Sequence, residues 1–116
     1  MKFMFMIFHD EDELNALPAR EMQTLVDSAL DYDDEIRRSG HYIVSNALQS
    51  ARTARTIRVR SGKVSTTDGP FAETKEQLGG YYLIEARDLN DAIQVAAKIP
   101  GAKMGTVEVR PIQVFE

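Results

Sequence analysis

Apolar and polar positions recur along this chain with two different periods, and each change of period marks an element. Residues 3–8, Phe3-Met4-Phe5-Met6-Ile7-Phe8, are apolar at every position. A strand with no polar face is expected to be covered on both sides, as a central strand is. Further on, Met22, Leu25, Val26, Ala29, Tyr32 and Ile36 recur at steps of three and four, leaving Glu21, Asp27, Asp31, Asp34 and Arg38 outward. That spacing predicts an amphipathic helix. It should open near Pro18 and stop at Gly40, after Arg37-Arg38, whose charges suit the negative end of the helix dipole.

The second half of the chain reads mainly as strands. Tyr42–Ala47 forms one, and Thr56–Arg60, Ser61-Gly62 and Lys63–Thr66 read as a hairpin with a two-residue turn. In that register Val59 faces Val64 and Arg58 faces Ser65. Ile57, Val59 and Val64 then share one half-buried side, while Arg58 projects to the other with the hydroxyls, either solvated or in contact with an anion. Tyr81–Ala86 is again apolar on both faces. Asp88 should cap a helix burying Leu89, Ala92, Ile93, Ala96 and Ile99, ended by Pro100-Gly101. The last strand, Thr106–Arg110, meets Pro111, a residue suited to an edge or a bulge, before Ile112 and Val114 resume the alternation.

Without the hairpin the order is β-α-β-β-α-β, the ferredoxin-like α+β arrangement with an antiparallel sheet, whose first and third strands lie in the middle. The two strands that are apolar on both faces are those two. Two helices cover only one face of a four-stranded sheet, so the second face calls for another copy packed sheet to sheet, a homodimer.

Composition narrows the class. The chain has 116 residues, enough for one domain over 1–116, and 43% hydrophobic with 28% charged residues are ordinary globular values. No apolar run approaches the roughly 18 residues that span a bilayer, and Met1–Phe8 breaks at His9-Asp10-Glu11-Asp12 instead of at small residues. A cytoplasmic location with no membrane contact is expected. The absence of cysteine excludes disulfides and thiolate chemistry, and a net charge of -4 argues against direct nucleic-acid binding.

The most distinctive stretch runs from Asp68-Gly69-Pro70-Phe71 through Gly79-Gly80-Tyr81-Tyr82. With Thr56–Arg60 before it and Val107–Pro111 after it, it resembles the DGPF-type members of the YCII-related proteins, small bacterial domains of dimeric α+β barrel type. The resemblance implies a dimeric barrel. It also implies a histidine and aspartate pair, since better-described relatives carry one, and related barrels include a dehydrochlorinase and isomerases acting on cyclic compounds. The relatives' histidine is on the first helix, where residues 20–38 here contain none. Only the aspartate side carries over, to Asp68. Members resembling this chain also occur beside or fused to extracytoplasmic-function sigma factors.

The residues themselves offer a few candidates. His9 suits a general acid or base oriented by Asp10 or Asp68, or else a solvated strand end. Topology places the Asp68-Gly69-Pro70-Phe71 turn near His9 and puts His41 at the opposite end of the sheet, as a partly exposed residue after the helix stop. Asp68 suits a turn whose carboxylate bonds following amides, or a carboxylate offered to a pocket. Phe71 would plug the core under the turn or, with Arg58 and Tyr81, contact a ligand. Glu73, Lys75 and Glu76 suit a solvated helical turn. Asp31, Asp33, Asp34 and Glu35 spread around the helix axis as a solvated face, with no metal expected. Gly79-Gly80 would let the backbone approach a neighbour closely at the strand start; the pair lacks the spacing of a phosphate loop, and no cofactor is expected. Two functions fit: a cofactor-free lyase or isomerase using His9 and Asp68 on a small acidic or cyclic molecule at the barrel, or a non-catalytic ligand-binding or regulatory module associated with a sigma factor.

Overall fold

A computed structural model describes residues 1–116. Six strands and three helices follow in the order β1 (Lys2–His9), α1 (Glu11–Asn15), α2 (Ala19–Arg38), β2 (Tyr42–Ala47), β3 (Arg55–Arg60), β4 (Lys63–Asp68), β5 (Gln77–Glu85), α3 (Leu89–Ala97) and β6 (Gly105–Pro111). Strands β2-β5-β1-β6 form one antiparallel sheet, and β3-β4 form a second sheet of two strands. The α+β ferredoxin-like expectation is met, with β1 and β5 in the middle. Pro111 closes β6 on the sheet edge, where its missing N–H costs no ladder bond.

Strand parity decides which side chains make the core. Phe3 pairs with Ile84 and Phe5 with Tyr82, and Phe3, Phe5 and Ile84 are fully buried beneath the helices. Ile36, Ala92, Val95, Ala96 and Ile99 come down on them. The Tyr32 hydroxyl donates to the carbonyl of Val95 at 2.7 Å and ties α2 to the end of α3, and burial pushes its phenol up to about 12. Met4, Met6 and Leu83 have the opposite parity and lie half-buried on the sheet's other face.

Several local expectations change. A short α1 was not legible as a separate helix; Asp10 caps it, accepting from the amides of Asp12 at 2.9 Å and Glu13 at 3.4 Å, so Asp10 serves the backbone instead of orienting His9. Leu89 and Ile93 are exposed, and α3 instead buries Asp91, Ala92, Val95 and Ala96. Residues 73–76 form irregular chain and a bend rather than a helical turn, and β5 begins at Gln77, earlier than expected. Val114 and Phe115 are exposed beyond the end of β6.

The hairpin register is as read, with Val59 opposite Val64 and Arg58 opposite Ser65, around a turn with positive φ at Ser61 and Gly62. The half-buried side is not: Ile57, Val59 and Val64 are all exposed in the single chain, because the hairpin pairs with no strand of the main sheet. No helix is long and apolar enough to cross a membrane.

At the end of the sheet where β2 begins, His41 forms a clasp between elements. Its Nδ1 is 2.7 Å from the Ser39 hydroxyl, and its Nε2 lies 3.1 and 3.2 Å from the two carboxylate oxygens of the buried Asp91. Although this is a serine–histidine–aspartate series, the amides of Ser39, Gly40 and His41 all donate to helix carbonyls, of Glu35, Arg37 and Ile36. None of these three amides is left to stabilise an oxyanion, and the C-terminus of α2 is the negative end of a dipole. The clasp is structural. The amide of Arg87, first, and then the His41 ring hold the Asp91 carboxyl below its ordinary value.

A carboxyl lowered in the folded state stabilises the fold above its unfolded value, roughly pH 4, and loses that contribution as the pH falls through the folded value. Thermal melts on acidification below about pH 4 should therefore show falling stability. Asp91→Asn should flatten that fall in part only, because Glu11, lowered by its bonds to the Ala51 amide and the Ser50 hydroxyl, acts in the same window. An acid limb unchanged in Asp91→Asn would refute this role.

Candidate functional site

A cleft of about 480 Å³ opens between α2 and the sheet. It exists because the N-terminal half of α2 carries more apolar surface than the sheet beneath it covers: Met22, Leu25, Val26, Ala29 and Leu30 line one wall. Ile7, His9, Gly79, Gly80 and Tyr82 line the floor. Val26 and Leu30 remain exposed as a consequence. An apolar concavity with a few convergent polar groups is the usual form of a small-molecule site.

His9 is seated by a break in the strand pairing. Ile7 pairs with Gly80 but Phe8 with Leu78, leaving Gly79 as an extra residue in β5. The imidazole lies on that glycine so closely that a Cβ there would fall 1.9 Å from its Cε1. Gly80 packs against the β2 backbone, with its would-be Cβ 3.1 Å from the Asn46 carbonyl. Close approach is thus the use of Gly79-Gly80, as the sequence suggested.

A second polar group meets the cleft at Tyr82. Its hydroxyl donates to Asp33 of α2, and both residues line the cleft. Burial, and then the Asp33 carboxylate, push the Tyr82 phenol well up, so it stays protonated and donates. Asp33 accepts through Oδ1, and its Oδ2 has no partner within the chain. Asp33 was expected on a solvated helix face; it turns inward instead, because only an acceptor on α2 satisfies the buried hydroxyl of Tyr82. The one available signal was that Asp33 stands four residues after Ala29 and seven after Val26, on the apolar side of the helix that lines the cleft.

The remaining candidates lie elsewhere. Asp68 pairs across the hairpin with Arg55, at 3.1 Å, and is well exposed; it bonds none of the amides that follow it. Gly69, with φ +99°, does take the left-handed conformation that the turn demands. The turn does reach the end of β1, since Pro70 and Phe71 share a hollow with Phe8. Phe71 does not plug the core: it is 78% exposed, with the Arg58 guanidinium 5.3 Å above its ring. Tyr81 borders the cleft, and its hydroxyl accepts from the Asn46 amide at 2.9 Å. Within one chain, then, His9 and Tyr81 border one cavity with Asp33 and Tyr82, whereas Asp68, Arg58 and Phe71 belong to the hairpin and the turn after it.

Comparison with known proteins agrees with the motifs. The pattern of the YCII-related domain matches residues 1–116. A protein of Rhizobium meliloti (strain 1021), described as uncharacterized, is 30% identical over 118 residues, covering 100% of this chain and 95% of the relative.

Proposed function

The chain belongs to the YCII-related domain family, and from that premise we propose that it is a cofactor-free lyase or isomerase that moves a proton on a small cyclic or acidic molecule held in the cleft between α2 and the sheet. The observation that carries this reading is His9, an imidazole able both to take and to give a proton, fixed on Gly79 at the floor of a largely apolar cavity. His9 takes a proton from substrate carbon and returns it, either at a neighbouring atom or to a departing group. Asp33, with one oxygen held by Tyr82, accepts from a substrate hydroxyl through the other. The apolar wall of α2 lowers the polarity around the exchange.

The same reading has a second copy covering the sheet's other face, where Met4, Met6, Phe8, Leu83 and Val44 form an apolar surface without a helix over it. Asp68 and Arg58 would then act, if at all, from the rim of the pair.

Thermal shift against small aromatic and cyclic carboxylic acids tests the site. A ligand at about 100 times its Kd stabilises by about 2.7 kcal/mol. We expect such a ligand to shift the wild type and Arg58→Ala alike, and His9→Gln to weaken its binding by about tenfold, one charge-assisted hydrogen bond's worth. A shift lost in Arg58→Ala and kept in His9→Gln would move the site to the hairpin and overturn the cleft reading. No shift with any compound would leave the non-catalytic regulatory module as the better account.

A further inference from the structure

We propose that the β3–β4 hairpin is an arm that clasps a second copy of this chain. The inference rests on the paired-copy reading above and adds to it the element that reaches across.

The hairpin pairs only with itself. A free two-stranded ribbon is marginal in water, and this one holds Ile57, Val59 and Val64 on a single face at 56%, 55% and 69% exposure. Its projection swells the molecule: the radius of gyration is 16.1 Å, where a compact chain of this length gives about 13 Å. An apolar ribbon face held out in solvent is the form of a strand pair that finishes its packing on another molecule.

Charge identifies that molecule. Residues 51–68 carry Arg52, Arg55, Arg58, Arg60 and Lys63 against Asp68 alone, a net +4, so the remainder of a chain of total charge -4 carries -8. A basic arm on an acidic body is complementary to another copy of the same body, and two arms exchanged about a two-fold axis satisfy both copies equally. A nucleic acid would meet the basic residues but leave the face of Ile57, Val59 and Val64 uncovered, and the acidic body would repel it.

The chain contains no cysteine, so Val64→Cys introduces a single reporter thiol. Its reaction with a maleimide is measured across a dilution series in parallel with sedimentation velocity. Where the chain is dimeric we expect labelling to slow at least tenfold relative to the dilute monomer. The double variant Val59→Glu, Val64→Glu should weaken the dimer about a hundredfold while leaving the melt of the separated chains unchanged, since both residues are exposed on a hairpin that pairs with no strand of the main sheet.

A wild type that stays monomeric would sink the paired-copy reading and the arm with it. A dimer whose thiol labels at the monomer's rate, and whose double variant associates as before, would remove the arm and leave the pair standing. Protection of the thiol by added single-stranded DNA, but not by self-association, would also overturn the proposal. Should the double variant unfold, the labelling in the singly substituted chain still decides.

Discussion

Phe5→Ala is expected to remove about 3–5 kcal/mol of folding stability, the range for deleting a buried aromatic side chain. Phe5 is fully buried at the centre of β1, opposite Tyr82 on one side and Val109 on the other. Its neighbours are strand and helix residues held on both sides by the sheet's hydrogen bonds, so little can collapse into the space. Small domains have about 5–15 kcal/mol in total, and the variant should therefore be largely or partly unfolded at body temperature. Chemical denaturation with an unchanged m-value checks the number. A loss under about 1 kcal/mol would mean that the core is centred elsewhere than beneath α2 and α3.

Gly79→Ala is expected to abolish the chemistry proposed for the cleft with little damage to the fold. The new methyl would occupy the place of the His9 ring, 1.9 Å from Cε1 and 2.6 Å from Nδ1. Gly79 is not among the glycines with positive φ, so alanine meets no backbone strain there. What yields is the imidazole, the end of a side chain with two rotatable bonds, which must swing off its seat. Loss of a positioned acid–base group lowers the rate by about 10²–10⁴-fold. The melting curve, by contrast, should move by no more than about 1 kcal/mol. Histidine ring signals in NMR spectra report the displacement directly, without any substrate. If those signals and the ligand affinity match the wild type, His9 is not the group that Gly79 seats, and its assignment as acid or base fails.

The legible parts of the fold were those set by short-range chemistry. Phe3–Phe8 and Tyr81–Ala86 showed themselves central because a strand that is apolar on both faces has no stable place at an edge. The Ser61-Gly62 turn fixed the hairpin register because two residues with positive φ allow only one tight connection. Gly79-Gly80 announced a close approach, though not the imidazole that makes it. Phe71 misled because an aromatic residue after a turn ordinarily goes inward; here Arg58 covers one face of its ring and no core lies beneath it.

The candidate site was legible in two residues, His9 and Tyr81. His9 could be placed at the end of β1 from the sequence, but its partners could not, because Asp33 and Tyr82 are 49 positions apart and meet only when α2 lies over β5. Asp91 was hidden in the same way: it reads as an ordinary acidic residue in the first turn of a helix until His41, 50 positions earlier, is laid against it. Conversely, Asp10 and Asp68 looked like partners of His9 by nearness in sequence or motif, and their carboxylates are taken by the α1 amides and by Arg55.

The sequence by itself determined the order of the strands and of the two longer helices, the central strands, the hairpin and the family, since each follows from periodicity, turn stereochemistry or a contiguous motif. The tertiary structure alone decided which polar side chains face one another and which apolar ones stay uncovered. A helix position fixes a direction only relative to what the helix packs on. It was the seating of α2 that turned Asp33 toward Tyr82 and opened the cleft over His9, while the hairpin pairs with no strand of the main sheet.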